Sequence, residues 1–168
     1  MSLHIHLLTA AMIPEIAAAF AALGWNKPAA QYQRYLAEQA AGQRTVFVAF
    51  LEAAFAGYIT IQWESSYPPF HEAHIPEIAD FNVLPRFRRQ GIGSRLMDEA
   101  EQAVAQRSVT VGIRVGLYAD YGSAQRLYAR RAYVPDGRGL FTQGHWPSYG
   151  AHVAVDDDLT LAFNKNLA

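Results

Sequence analysis

The sequence predicts an α/β protein, a single domain over residues 1–168 with a mixed central β-sheet flanked by helices on both faces. Three observations carry the prediction. Runs with strand character alternate with stretches of helical period along the chain. Within that alternation the run 77–83, an amphipathic helix and the run 109–117 form a β-α-β unit, whose two strands are expected to lie parallel. With 168 residues, 51% of them hydrophobic, the chain can bury one sizeable core and is short for two.

Each element has its own signal. Residues 5–8 read as a strand. Thr9 stands where it can cap a helix over 11–22, with Pro14 in the first turn and Gly24 just past the end. A helix over 28–41 sets Tyr32, Tyr35 and Leu36 on one side as a core stripe. Residues 45–51 and 54–62 are β-rich runs joined at Glu52-Ala53, the pattern of a hairpin. On the strand 77–83, Glu77, Ala79, Phe81 and Val83 share one face, and Ile78, Asp80 and Asn82 the other. The helix over 93–106 belongs to an apolar row of Ile92, Leu96, Ala100 and Val104, with Met97 and Ala103 beside it. Arg95, Asp98, Glu99 and Glu101 are expected to face water. A strand over 109–117, a helix over 123–131, a strand opening at Tyr133-Val134 and a closing strand over 159–164 complete the order. No repeat, low-complexity run or linker interrupts it.

Composition narrows the function classes. Fourteen Lys and Arg against fifteen Asp and Glu give no global attraction to nucleic acid or to an anionic membrane, and no basic stripe interleaved with aromatics appears. The absence of cysteine excludes disulfides, thiolate metal sites and an acyl-cysteine intermediate within this chain. No apolar run is long enough to span a bilayer, and the first residues lack the basic start and apolar stretch of a signal peptide. The expectation is a cytoplasmic protein.

The richest segment joins the strand of residues 77–83 to the start of the long helix. Pro85 breaks the strand into a turn containing Arg88, Arg89, Gln90, Gly91, Ile92, Gly93 and Ser94, which then opens that helix. Glycines let backbone approach a ligand closely, and the first N–H groups of a helix, with its positive dipole end, attract negative charge. Arg88 and Arg89 add fixed cationic charge at the same place. This is the outline of a pyrophosphate site, although Gly91-Ile-Gly93 completes neither the dinucleotide fingerprint nor a P-loop.

A second segment, Ser123-Ala-Gln-Arg-Leu-Tyr-Ala-Arg-Arg-Ala-Tyr133, reads as a short helix with Leu127-Tyr128 at its centre, leading into a strand. Taken together, the two segments resemble the GNAT superfamily of acetyl-coenzyme A dependent N-acetyltransferases. Its first pattern, Arg/Gln-x-x-Gly-x-Gly/Ala, is met by Arg88, Gly91 and Gly93. Its second, Asn-x-x-Ala-x-x-Leu-Tyr-x-x-x-Gly-Phe, is met by Ala124, Leu127 and Tyr128. Tyr121, Ala132 and Tyr133 depart from the Asn, Gly and Phe of that pattern. The motif resemblance is strongest from residue 77 to 133, and element order extends it over nearly the whole chain.

The resemblance implies a GNAT-like fold, acetyl-coenzyme A as co-substrate and a primary amine as acceptor, of a small molecule or, as the variant, of a peptide or protein. A non-catalytic acyl-coenzyme A binding module is the alternative from another class. In the reaction an amine attacks a thioester carbonyl, loses a proton and expels a thiolate. Alkylamines are mostly protonated at neutral pH, so a base or water must take a proton, while a phenol with a pKa of about 10 can serve as acid. The resemblance makes Tyr128 the acid aimed at the thioester sulfur. It makes Glu77, eleven positions before Arg88, the first candidate base, with Asp80 and ordered water as alternatives. It sets the backbone of Phe81 and Val83 against the acetyl-pantetheine arm. The N–H groups of Gln90, Gly91, Ile92, Gly93 and Ser94 meet the pyrophosphate, with Arg88 and Arg89 as charge partners.

The acceptor walls are expected in residues 24–41, 63–76 and 135–158. Trp63, Tyr67, Phe70, His71, His74, Phe141, His145, Trp146, Tyr149 and His152 in these segments could hold an amine by cation-π contact or could pack the loops onto the sheet. His71-x-x-His74 lacks a clear third metal ligand, and no metal is expected. Asp156-Asp-Asp158 reads as a solvated turn before the last strand. Pairing of two subunits through an edge strand near the C-terminus is what the resemblance adds about partners.

Overall fold

In the computed structural model, which describes residues 2–168, seven strands alternate with five α-helices. They are β1 (Leu3–Leu7), α1 (Ile13–Ala22), α2 (Ala29–Ala40), β2 (Arg44–Leu51), β3 (Ala54–Gln62), α3 (Pro68–Glu72), β4 (Glu77–Val83), α4 (Ile92–Ala105), β5 (Thr110–Gly116), α5 (Gly122–Arg130), β6 (Val134–Phe141) and β7 (Thr160–Asn166). The α/β class is therefore the one the sequence predicts. The chain divides into two compact units, one of Met1–Trp63 with Ile78–Ala103, the other of Glu64–Glu77 with Val104–Ala168. Among the described residues no helix is long and apolar enough to cross a membrane.

In the first unit β1, β2 and β3 pair antiparallel in succession, and β4 follows β3. The β2–β3 hairpin turns at Glu52 and Ala53, both at positive φ (49° and 68°), as a two-residue turn that matches strand twist requires. Helix α1 presents Ile13, Ile16 and Phe20, and α2 presents Tyr32 and Tyr35, to a core shared with Val46, Val48, Phe55 and Tyr58. Full burial of such side chains contributes about 1.5–3 kcal/mol each. Phe20 and Tyr32 meet the Tyr58 ring edge to face, with centroids 5.9 and 5.4 Å away. Gly57 on β3 lets β4 come close: a Cβ there would drive into the Asn82 carbonyl and lie 3.0 Å from the Val83 Cα.

On α4, Ile92, Leu96, Met97, Ala100 and Val104 are all buried, as the period predicts. Glu101 departs from expectation. It is 8% exposed rather than turned to water, because it lies four positions after Met97 and so on the same flank of the helix. At the N-terminus β1 begins earlier than expected, at Leu3. Leu8, read as strand from its apolar character, leaves the ladder, with its N–H donating to the Val46 carbonyl at 3.0 Å. Thr9 precedes a 3-10 turn at Ala10–Met12 and makes no side-chain cap.

In the second unit β5, β7 and β6 pair antiparallel in that order. A small core of Tyr67, Phe70, Phe141 and Ala162, with Ile75 against it, ties α3 to this sheet. Strand β6 runs through residues 135–141, which the sequence assigned to a variable wall. Pro135, and Gly137 and Gly139 at φ of 83° and 80°, disguise it, and its register with β7 shifts between Pro135 and Leu140. Bulges and proline of this kind protect a sheet edge.

Candidate active site

The turn expected to receive pyrophosphate is built from local geometry. Leu84 ends β4 with its N–H on the Ala56 carbonyl (2.9 Å), and Pro85 starts a 3-10 turn at Pro85–Phe87. The chain then turns on two left-handed residues, Arg89 at φ 59° and Gly91 at φ 79°, before α4 begins. Arg88, Arg89, Gln90, Gly91 and Ser94 are exposed, while Ile92 is buried as the helix's first anchor. The Arg88 Nε donates to the Val83 carbonyl at 3.1 Å, which pins the arginine to the strand end. No acidic residue lies in the first turn of α4, so its unpaired N–H groups have no carboxylate of their own helix to neutralise them. Gly93 lets this end of the helix sit on β4: a Cβ there would come 3.2 Å from Phe81 Cζ and 3.7 Å from Val83 Cγ2. Phe81, Val83 and the residues 88–94 are thus brought together within one unit.

Strand β4 is not regular. Asp80 sits at φ 57°, a left-handed conformation that Asp tolerates better than most residues but that still costs about 1–2 kcal/mol. The kink follows the Ala79 carbonyl, which accepts from the Thr60 hydroxyl. It also aims the Asp80 carboxylate into a set of donors. Oδ1 accepts from Lys27 Nζ (2.9 Å) and Asn82 Nδ2 (2.9 Å); Oδ2 accepts from Gln31 Nε2 (3.0 Å), Tyr35 Oη (2.8 Å) and Tyr58 Oη (2.5 Å). A carboxylate offers about four lone-pair positions, so this one is saturated. Burial, then the Asp80 charge, raises Tyr35 and Tyr58 above the ordinary phenol value, which keeps both as donors. Arg44, 6% exposed, braces the group: it stacks 4.2 Å from the Tyr35 ring centroid and donates to Glu38 (2.5 Å) and Thr60 (2.7 Å).

Glu77 lies in the second unit and is 2% exposed. Arg114 on β5 grips it with Nε on Oε2 at 2.9 Å and Nη2 on Oε1 at 3.2 Å, and the Ser65 hydroxyl donates to Oε1 at 2.5 Å. Arg114 also reaches the Ser66 hydroxyl at 3.1 Å and lies 5.5 Å from the Tyr67 ring centroid. The carboxylate is a buried ion-pair member as well as a candidate base.

Tyr128, also in the second unit, is 5% exposed, and burial pushes its phenol above the ordinary value. Its ring packs 5.9 Å from that of Tyr133. The helix end that holds it is a Schellman closure: the Tyr133 N–H reaches the Tyr128 carbonyl (3.0 Å) and the Ala132 N–H that of Ala129 (3.1 Å). Ala132 accordingly takes φ 69°, the place where the family pattern has Gly. Tyr121, in the family's Asn position, donates to Asp157 at 2.9 Å and meets Tyr118 edge to face at 5.1 Å.

The loop aromatics divide. Tyr67, Phe70, Phe141 and Trp146 pack on one another at 4.8–5.9 Å, while Tyr149, His71, His74, His145 and His152 are exposed and Trp63 donates to Thr45 at 3.0 Å. Among the described residues no group of three or more His, Asp or Glu is placed to hold a metal ion. The three aspartates 156–158 serve separate local bonds: Asp156 caps the Asp158 and Leu159 N–H groups, Asp157 accepts from Tyr118 and Tyr121, and Asp158 accepts from Thr142 and Gln143. The Gln143 backbone N–H, then the Thr142 hydroxyl, hold Asp158 below the usual carboxylate range.

An α/β fold whose strand feeds an arginine- and glycine-rich helix start gathers backbone N–H groups and cationic charge of the kind that suits an anionic group. The sequence matches the acetyltransferase (GNAT) family over residues 11–133, and the chain belongs to that family, within the acyltransferase class. Solved structures agree in fold. An N-acetyltransferase from Staphylococcus aureus Mu50 is 16% identical with a TM-score of 0.72, covering 100% of both chains. The ribosomal-protein-S18-alanine N-acetyltransferase from Escherichia coli is 12% identical with a TM-score of 0.69, covering 99% of this chain and 95% of its own. The PaiA N-acetyltransferase from Thermoplasma acidophilum, solved in complex with coenzyme A, is 11% identical with a TM-score of 0.67 over 99% of each chain. No curated protein matches the chain.

Proposed function

We propose that the chain, acting as one catalytic domain, transfers the acetyl group of acetyl-coenzyme A to a primary amine, of a small molecule in the leading reading. The observation that carries this is the turn at residues 88–94: left-handed Arg89 and Gly91, exposed arginines and a helix start with no acidic residue in its first turn, in a member of the acetyltransferase family. The donor set suits a pyrophosphate, since backbone N–H groups and guanidinium together recognise phosphate oxygens. Phe81 and Val83 then supply backbone for the amide-rich arm beside it.

In the reaction the amine nitrogen bonds to the thioester carbon, the oxyanion collapses, and the carbon–sulfur bond breaks with its electron pair on sulfur. Tyr128 gives its proton to that thiolate and recovers one from water. Burial raises the phenol above its ordinary value, so the hydroxyl is protonated at neutral pH and can donate a hydrogen bond to the sulfur as charge develops there. For the proton leaving the amine, we assign ordered water as acceptor. Both oxygens of Glu77 already accept from Arg114 and Ser65, which supports reading Glu77 as a positioning group, and Asp80 is saturated. The products are an N-acetylamine and free coenzyme A.

Isothermal titration with acetyl-coenzyme A, followed by thiol release as amines are added, tests the reading. Binding and release with one amine class is the expected result. Binding without release for any amine, small-molecule or peptide, leaves a non-catalytic acyl-coenzyme A binder, and absence of binding overturns the assignment of the turn.

A further inference from the structure

Lys27 poses a question that the acyl-transfer site does not answer. Its ammonium leaves the short connection between α1 and α2 and ends inside a cage on the first unit. Nζ lies 2.9 Å from Asp80 Oδ1 and 3.0 Å from the Tyr58 hydroxyl, and 5.7 Å from the ring centroids of both Phe20 and Tyr58. One carboxylate, one phenol oxygen and two aromatic faces are the elements that recognise a compact primary ammonium rather than a planar guanidinium. The cage is a built one. Asp80 accepts the strain of a left-handed backbone to stand in it, and Tyr35 and Gln31 from α2 hold its second oxygen.

Lys27 is also the occupant most easily exchanged. Every other donor on Asp80 comes from a helix or strand: Gln31 and Tyr35 from α2, Tyr58 from β3, Asn82 from β4. Lys27 alone among these five comes from a loop, and its side chain keeps 20% of its surface in solvent, as does that of Asp80. The cage is thus walled by the buried rings of Phe20 and Tyr58, while its two charged members each keep contact with solvent.

We propose that the Asp80, Tyr58 and Phe20 cage is a recognition seat for a linear primary alkylammonium, which Lys27 fills in the resting protein and yields to that ligand. The ligand class follows from Lys27 itself, whose unbranched four-carbon stem and terminal ammonium the seat already accommodates. In turnover, which rests on the amine-acceptor reading above, the seat selects acceptors carrying an unbranched aliphatic amine, and Lys27 competes with them.

The probe is n-butylammonium at constant ionic strength, without acetyl-coenzyme A. Lys27→Ala is expected to show saturable thermal stabilisation by n-butylammonium and none by n-butanol. The response should be about tenfold weaker in the wild type, where Lys27 competes, and in Lys27→Ala/Asp80→Asn. A folded Lys27→Ala protein with no saturable response, or an equal response after Asp80→Asn, overturns the seat. Should Lys27→Ala not fold, the wild type carries the test: the Lys27 13Cε resonance, displaced by the Phe20 and Tyr58 rings, moves toward its free-lysine position as n-butylammonium is added. A resonance that responds no more than to potassium chloride overturns the proposal. Seat binding in a protein that transfers no acetyl group would sink the transferase reading alone, and transfer without seat binding would sink the seat alone.

Discussion

Glu77→Gln separates a positioning carboxylate from a catalytic base. The native side chain is 3% exposed and meets Arg114 in two bonds of 2.9 and 3.2 Å, while Arg114 itself keeps 21% of its side-chain surface in water. Removing one partner of a fully buried pair costs about 3–5 kcal/mol, most of it the charge left behind. Two features lower that figure here. Arg114 can draw on solvent for part of its lost partner, and the Gln amide oxygen still accepts one bond. The expected loss is about 2–3 kcal/mol, which for a chain of this size lowers the melting temperature by roughly 4–12 °C. Urea titration and calorimetry read the stability.

Turnover of the folded variant, measured well below its midpoint, should fall by no more than about tenfold, because in the proposed reaction water, rather than Glu77, takes the amine proton. A direct general base contributes about 10²–10⁴-fold. A variant that melts within about 2 °C of wild type yet loses that much in kcat, together with the acidic limb of its pH profile, would refute the argument from the engaged oxygens. A double-mutant cycle with Arg114→Met adds a check: the two losses should fall short of additive by about 0.5–3 kcal/mol, as contacting residues do.

Tyr128→Phe should bind acetyl-coenzyme A as the wild type does but lose about 10²-fold or more in kcat, and because burial raises the phenol the wild-type rate should show no alkaline decline from this group below about pH 10. Gly91→Ala meets no atom within 4 Å but is forced to φ 79°; the strain of about 1–2 kcal/mol should lower the melting temperature by roughly 2–8 °C in calorimetry. Ala132→Gly relieves a left-handed alanine at φ 69° worth about 1–2 kcal/mol, against about 0.4–1 kcal/mol of added unfolded-state freedom, so calorimetry should show a melting temperature no lower than wild type and higher by up to about 6 °C. Tyr67 is pushed up to about 12 by burial and then by its bond to Asp136. Its folded value exceeds its unfolded one, so its stabilisation is full below about pH 10 and disappears as pH rises through 12, and Tyr67→Phe should flatten urea midpoints measured across that window.

What the sequence made legible was local. The turn of residues 85–94 announces itself because proline, arginine and glycine act within a few residues of one another, and α4 because its apolar residues recur with the helical period. The stripe Tyr32, Tyr35 and Leu36 was visible for the same reason, with both tyrosines buried in the structure. The partners of the two carboxylates were not. Arg114 is 37 positions from Glu77 and Lys27 is 53 from Asp80, and no periodicity links residues so far apart. The left-handed turn at Asp80 was hidden too, since a strand pattern assumes regular alternation and an Asp gives less warning of a bulge than a Gly. Glu101 was misplaced for a subtler reason: charge type suggested water, whereas its position on the Met97 flank decided burial.

The strand β4 carries two carboxylates three residues apart, and the fold treats both in one way, by surrounding each with donors. Glu77 has an arginine fork and a hydroxyl; Asp80 has an ammonium, two phenols and two amides. Buried charge is retained only where it is paired and hydrogen-bonded, and each of these carboxylates meets that condition. The difference lies in what could leave. Around Glu77 the arginine is held on β5 by a second hydroxyl and an aromatic face, and its removal would strand a charge in the interior. Around Asp80 one donor is a lysine on a loop, whose place in the proposed seat a linear primary alkylammonium takes without a change in the seat's net charge. An acyltransferase that must distinguish amines gains selectivity from such an exchange, because a ligand lacking the ammonium would leave the seat to Lys27.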